Sequence, residues 1–377
     1  MDLRKEFAEF GDVTYLDVCA QGPLPLVSAR AAHAAVDWKK LPHQIPEGMY
    51  FDLPERVRTR LAQLIGADTD EIALATGASA GFAAVAQGMD WRSGDEILVG
   101  QGEFPVHFSA WLGLVATGDA QVRVVSPRGR FIDADDYIAA LRPRVRVVSA
   151  SLVRFDNAVH LDTVRLAQAC HANGAALLLD VSQCAGGMPI NVGQLNADFI
   201  TGAGYKWLLS PYGTGFFWVR REWWDRLRPS PVYWMALEGA RNVHDLPIEN
   251  PRAVAGARRW DMPETASFSN LAAMDASLEF VQRITPATVE EHNSALIQEL
   301  IDGLPRDRCV LSSPAEAELR GPFVCVTGRT PARTKDLYER LRAGKVIVSY
   351  RQGVLRIAPH LYNTSTDIRR LITILSV

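Results

Sequence analysis

The chain has 377 residues, enough for a full hydrophobic core and two domains. With 48% apolar and 22% charged residues it has the composition of a soluble globular protein, and a net charge of −3 gives no reason to expect nucleic acid or an anionic membrane as a partner. The opening MDLRKEFAEF carries charges where an export signal needs an apolar core, and no apolar run reaches the length of a membrane span. Five cysteines without CxxC spacing read as reduced cytosolic thiols, so a cytoplasmic location is expected. The eight histidines form no HExxH arrangement, and no metal site is expected.

From about residue 52 to 220, helical and strand patterns alternate. LPERVRTRLAQLIGA predicts an amphipathic helix, EIALAT a strand, SAGFAAVAQGM a helix, DEILVG a strand and PVHFSAWLGLVAT a single helix. QVRVVS (strand), DADDYIAALR (helix), VRVVSA (strand) and LDTVRLAQACHANG (helix) follow, then the strands AALLLD, ADFITG and GTGFFWV. Short, continuous apolar runs separated by helices predict an α/β fold with a mostly parallel sheet buried on both faces. Residues 229–260 are Pro-rich and irregular, a loop long enough to suspect function. After residue 270 the grain changes. Two helices, LAAMDASLEFVQRI and PATVEEHNSALIQELIDGL, precede strands near 308–312, 322–327, 345–350 and 354–358 and a closing helix, which reads as a smaller α+β domain. The expected division is 15–270 and 271–377, with 1–14 joining the smaller part.

Four positions carry chemistry. Asp180 ends an apolar strand at the sheet edge where ligands bind in open α/β folds, either as a structural cap or as an anion beneath a cationic ring nitrogen. The turn ATGASAGFAA brings Gly77, Ala78 and Ser79 to a helix N-terminus, an entry through which a phosphate can approach bare N–H groups. Lys206 is the third. The chain has six lysines against 34 arginines, and Lys206 is the only lysine between Lys40 and Lys335. A surface cation there could be arginine; an amine that must lose its proton to form an imine could not. Arg356, in VLRIAPHLYNT, offers a bidentate fork for a carboxylate or else a surface ion pair. A phosphate cradle, a ring-nitrogen anion, an imine-forming amine and a carboxylate clamp are what pyridoxal phosphate and an amino-acid substrate require. The turn also matches the TGASxGxG fingerprint of nicotinamide dehydrogenases, but no tyrosine in the chain has a lysine four residues on. A non-catalytic binding protein on this fold is the third reading.

From YLDVCAQGPLP at residue 15 to LRIAPHLYNTSTDIRRL near the end, the sequence resembles the class V aminotransferase family of fold type I pyridoxal-phosphate enzymes, which includes cysteine desulfurases, kynureninase and isopenicillin N epimerase-like proteins. The most specific block is LLLDVSQCAGGMPINVGQLNADFITGAGYKWLLSPYGTGFFWV, with Asp-x-x-Gln followed by the lysine. The resemblance implies Lys206 as the Schiff-base lysine, Asp180 as partner of the pyridine nitrogen and Gln183 as partner of the ring's phenolic oxygen. It implies that Ala78, Ser79 and Tyr205 bind the phosphate and that Phe104 stacks on the cofactor. Arg356 then holds the substrate carboxylate, and Ala20 and Gln21 border the substrate pocket. It further implies a homodimer with the site near the interface.

The departures point to the reaction. Ala203 and Phe155 stand where desulfurases commonly have Ser and Asn, and DMPETASFSN lacks the family's Gly-Thr that reaches the partner's phosphate, leaving Thr265, Ser267 or Ser269. No cysteine follows Cys325, so the mobile-loop cysteine of desulfurases has no counterpart; Cys19 and Cys184 read as packing. The expectation is a pyridoxal-phosphate enzyme that transaminates a small amino acid or carries out a C–S lyase-type β-elimination, with epimerisation or other carbanion chemistry as the alternative.

Overall fold

The computed structural model describes residues 3–229, 232–246, 248–264 and 267–377. A two-residue strand β1 (Thr14–Tyr15) leads to helices α1 (Leu26–Lys40) and α2 (Met49–Ile65). Next come β2 (Ile72–Ala75), α3 (Ala78–Gly88), β3 (Asp95–Gly100), the short helices α4 (Val106–Ser109) and α5 (Leu112–Thr117), and β4 (Ala120–Val125). Helix α6 (Ala134–Ala140), β5 (Val145–Ser151), α7 (Thr163–Ala172), β6 (Ala176–Asp180), α8 (Val192–Leu195), β7 (Phe199–Ala203) and β8 (Gly215–Val219) follow. The remainder is α9 (Phe268–Ile284), α10 (Pro286–Gly303), β9 (Cys309–Leu311), β10 (Val324–Gly328), α11 (Pro331–Ala343), β11 (Val346–Ile347), β12 (Ser349–Arg351), β13 (Val354–Ile357) and α12 (Ser365–Leu375).

Seven strands form the large sheet in the order β2-β8-β7-β6-β5-β3-β4. All neighbours are parallel except β8, which runs against both β2 and β7. The central strands are buried along their whole length because helices cover both faces: every residue of β3, β6, β7 and β8 is buried. The edge strand β4 has exposed positions inside it instead. A second, antiparallel sheet, β12-β13-β10-β9, packs with α10, α11 and α12 around Leu300, Leu337, Leu341, Leu355 and Leu371. The N-terminal segment joins this smaller unit, since β1 pairs with β11 and Asp17 bridges to Ala358. The division at residue 270 stays a proposal. The cores do not divide cleanly there: Leu271, Met274 and Leu278 of α9, with Phe323, Cys325 and Tyr362, pack in the larger core with Leu53 and Val57 of α2, and Leu16 packs in the smaller one.

The structure corrects four local expectations. PVHFSAWLGLVAT is two short helices, because the chain breaks at Ala110 and Trp111 to turn the Trp111 indole fully inward against Phe82 and Trp91. Residues 345–350 split into β11 and β12, which pair in different sheets. Helices α1 and α11 are additional to those expected. Only Ser28 and Ala35 of α1 are fully buried, and only Thr334, Leu337 and Leu341 of α11, so neither carries a strong apolar stripe. No helix among the described residues is long and apolar enough to cross a membrane.

Candidate active site

Several strand ends meet at one edge of the large sheet. β2 runs through Thr76 and Gly77 into α3, β5 ends at Ser151, β6 at Asp180, and β7 at Ala203, three residues before Lys206. β8 runs the other way, so its first residue, Gly215, joins the same edge opposite both Ala75 and Ala203. The approach is close: a Cβ on Gly215 would lie 2.6 Å from the Gly202 carbonyl oxygen and 2.7 Å from the Gly77 Cα. Gly77 itself opens outward, and a Cβ there would meet nothing within 4 Å.

The backbone around Lys206 is clamped. The Gly22 N–H donates to the Tyr205 carbonyl at 2.8 Å, and a Cβ on Gly22 would lie 2.1 Å from the Lys206 carbonyl oxygen, so the N-terminal segment can pack there only through glycine. Leu209, at φ +53°, returns its N–H to the Lys206 carbonyl at 3.0 Å. Gly204 makes room for Thr214, whose Oγ1 lies 2.2 Å from where its Cβ would be. The Lys206 side chain is 8% exposed, with its Nζ 5.5 Å from the Phe104 ring centre and 5.6 Å from that of Tyr205. Burial pushes its amine below the usual lysine range; the Asp180 carboxylate opposes this and the Arg356 charge adds to it.

Asp180 is buried, with Oδ1 accepting the Ser182 N–H at 2.8 Å. Gln183 donates from Nε2 to the Cys19 carbonyl at 3.2 Å, and its Oε1 lies 3.5 Å from the Trp207 indole nitrogen. Arg356 lies opposite Ser349 in the β12–β13 pair, and its Nη2 donates to the Ser349 hydroxyl at 2.9 Å. That hydroxyl in turn donates to Asp17. The Arg356 Nε is buried without a hydrogen-bond partner among the described residues, an unmet donor in the wall of a cavity. Burial raises the Asp17 carboxyl, while Ser349 and the Arg356 charge lower it. Phe104 is 42% exposed and meets Phe155 edge to face at 5.3 Å. Tyr205 packs on Tyr212 at 4.5 Å.

Two cavities converge on Lys206. One, of about 360 Å³, is bounded by Ala20, Phe155, Gln183 and Arg356; the other, of about 190 Å³, by Gly77, Ala78, Ser79 and Asp180. Phe104, Tyr205 and Lys206 line both. Gln21 is not brought in with the rest: it lines neither cavity, is exposed, and its carbonyl accepts the Tyr15 hydroxyl at 2.7 Å. Ser267 and Ser269 border a separate cavity of about 530 Å³, with Tyr50, Tyr233 and Trp234. Thr265 lies outside the described residues.

A sequence profile of the family described as aminotransferase class-V matches residues 47–371. The chain belongs to this family. Similar proteins include the isopenicillin N epimerase of Streptomyces clavuligerus, 26% identical with 95% of this chain and 93% of the epimerase covered. The kynureninase of Deinococcus radiodurans is 29% identical over 79% of this chain and 72% of its own. In structure, the chain is similar to a mutant of C-DES with glycine covalently linked to its pyridoxal-phosphate cofactor, at a TM-score of 0.88, 22% identity, and coverage of 99% and 98%. The cystine C–S lyase C-DES with its product cysteine persulfide gives a TM-score of 0.85 at 22% identity, with 97% of each chain covered.

This class V aminotransferase is therefore a pyridoxal-phosphate enzyme, and its residues fit the cofactor. The open glycine at the α3 entry suits a phosphate, the buried carboxylate a cationic ring nitrogen, and the buried amine an aldehyde. The tryptophans clustered at 218, 223, 224 and 234 are mostly structural. Trp218 and Trp223 are buried, and the Trp223 indole donates to Asp198 at 2.8 Å; Trp234 stays 40% exposed. Polar residues beyond those expected also reach the site. Ser182 lines the inner cavity, and Arg351, an outward residue of β12, lines the outer one beside Arg356. Behind Asp180 lie Glu103 and His107, whose four-residue spacing was the one signal of them in the sequence.

Proposed function

We propose that this enzyme acts on a small amino acid by transamination or by β-elimination of the C–S lyase type, and that it is not a persulfide-forming desulfurase. The observation that carries this reading is the junction of the two cavities at a buried lysine, with Asp180 at one end and Arg356 at the other. Pyridoxal phosphate, when bound, supplies a sink for the electrons left on an amino acid that loses its α-proton. Ala78, Ser79 and Tyr205 would hold its phosphate, Asp180 would hold a proton on its pyridine nitrogen, and Gln183 would meet its phenolic oxygen. Phe104 covers the ring and keeps water from that face. Arg356, steered by Ser349 and Asp17, takes the substrate carboxylate on its guanidinium. The Lys206 amine, whose burial favours the neutral form, removes the proton at the α carbon and returns it.

The case against a persulfide rests on the thiols. All five cysteines are buried, and Cys19, which lines the outer cavity, has its thiol pushed up to about 12, chiefly by burial. A thiol in that state is a poor nucleophile. Buried free thiols also support a reducing, cytoplasmic location. Exposed Val36 and Trp234, beside Ser267 and Ser269, support a homodimer in which that groove faces the partner.

The test has two stages. The purified protein should show the visible band of a protonated imine, and Lys206→Ala should lose it; a colourless protein indifferent to added pyridoxal phosphate would sink the proposal. An amino-acid panel then separates the reactions: amino-group transfer to a 2-oxo acid, ammonia release with a cleaved β-substituent, or sulfur left on the protein, which would refute the third clause. Epimerisation is the second reading, favoured by the near full-length similarity to isopenicillin N epimerase. Deuterium uptake at the α carbon with inversion would select it.

A further inference from the structure

A buried polar cluster lies behind Asp180, on the side away from the cavity, and none of the roles above uses it. Ser149 and Ser151 end β5, and Ser151 pairs with Asp180 across the parallel ladder. Glu103 comes from the turn after β3, His107 from α4, and Arg154 from the loop after β5; all five are buried and His107 is 0% exposed. Glu103 accepts the Ser151 backbone N–H at 2.9 Å and the Ser151 hydroxyl at 2.7 Å. Arg154 Nη1 lies 3.4 Å from the same carboxylate, and the Tyr137 hydroxyl donates to it at 3.4 Å. Interior charges are costly, and apolar side chains of equal volume would pack these strands at least as well. The cluster needs another reason.

The hydrogen bonds fix the histidine's tautomer. The Ser151 hydroxyl spends its one proton on Glu103, so toward the His107 Nε2, 3.3 Å away, its oxygen can only accept. Nε2 therefore carries a hydrogen, and Nδ1 lies 2.8 Å from the Ser149 hydroxyl, which can donate to it. The Phe82 ring, edge-on at 4.7 Å, closes the remaining side. The Nε2 nitrogen also lies 3.7 Å from Glu103 Oε2 and 3.9 Å from Asp180 Oδ2, while Asp180 Oδ1 is held by the Ser182 N–H. Asp180 is faced from the rear by this imidazole and from the cavity side by the Lys206 amine, and its charge also acts on the buried Cys184 thiol. Glu103 is itself balanced by Arg154, which also pairs with Asp156 at 2.9 Å.

We propose that His107 is a positioning residue: locked by Ser149, Ser151 and Glu103, it sets its ring 3.9 Å behind Asp180 and keeps that carboxylate aimed into the inner cavity. The inference rests on the reading of Asp180 as the partner of the cofactor's ring nitrogen. It predicts that the ring-nitrogen proton, and not substrate binding, is lost when His107 is altered.

Two measurements test it. Nitrogen-15 NMR of histidine-labelled protein, with the His107 signal assigned by its absence in His107→Gln, should show the Nε2–H tautomer, and Ser149→Ala should disturb it. In the holoenzyme, His107→Phe should lower kcat about 10- to 100-fold, as loss of an orienting outer partner does at other centres, with KM little changed and the pH profile of the visible band displaced. His107→Gln, which keeps an N–H donor, should recover most of both. An Nδ1–H tautomer, or a band and pH profile unchanged in His107→Phe, would overturn the proposal. Should His107→Phe not fold, Ser149→Ala gives the same readings with the ring in place. A wild-type protein without the Lys206-dependent band would fail the reading of the site instead, and the tautomer would still decide this one.

Discussion

Replacing His360 with phenylalanine should flatten the acid side of the protein's stability curve. His360 follows β13 and is 1% exposed, stacked on Tyr362 at 5.7 Å with Trp207 at 5.8 Å and Phe7 at 6.4 Å. Neither ring nitrogen has a hydrogen-bond partner among the described residues. Burial, and then nearby His292, push its pKa from 6.5 down to about 3. Above pH 6.5 the ring is neutral whether folded or not, and this stability is fully present. As the pH falls below 6.5 the unfolded chain takes up the proton and the folded one does not. The loss runs at about 1.4 kcal/mol per pH unit until the folded ring protonates near pH 3. The two values lie about 3.5 pH units apart, so the whole window removes about 5 kcal/mol, comparable to the entire stability of many domains.

The assay is urea denaturation followed by tryptophan fluorescence at intervals from pH 4 to 8. Other acid-sensitive groups act alike in both proteins, so the difference between the curves isolates His360. Near pH 7.5, His360→Phe should match wild type to within about 1.5 kcal/mol, because it keeps the ring contacts and removes two unpaired nitrogens. At pH 4.5 it should be the more stable protein by about 2.7 kcal/mol. Parallel curves across that range would refute the reasoning.

Three further outcomes are expected. Asp261→Ala should destabilise by about 3–5 kcal/mol, seen as a lower Tm, because it strands the buried Arg58 that it pairs with at 2.8 Å. It also frees the Leu74 N–H, held at 2.7 Å, and so should loosen β2 ahead of the Gly77 turn and speed cofactor loss on dialysis. Gly215→Ala must push β8 off Gly77 and Gly202, at a cost of about 1–3 kcal/mol, and cofactor retention should fall while far-UV circular dichroism stays unchanged. Cys19→Ala removes only a 3.3 Å contact to Asp17, so substrate turnover should persist; its abolition, with the fold intact, would reopen a thiol mechanism.

Asp180 and Lys206 could be located in the sequence because each follows a short, continuous apolar run, and a strand buried on both faces has no other way to be written. Its end fixes where the first polar side chain emerges. Arg356 was harder, since its neighbours Ser349 and Asp17 arrive through a hairpin and through the pairing of β1 with β11, contacts that no local pattern reveals. His107 shows the limit most clearly. Its spacing from Glu103 is visible in the sequence, but Ser149, Ser151 and Arg154 come from β5 and the loop after it, some 40 residues on, and only the β3–β5 ladder brings them alongside. Nothing in the sequence around Gly204 shows that Thr214 fills the space its missing side chain leaves. Apolar periodicity identifies which strands are interior. Strand order then decides which strand ends become neighbours, and because β2, β5, β6 and β7 all end on one edge, residues 76–79, 151, 180 and 203–206 become a single site.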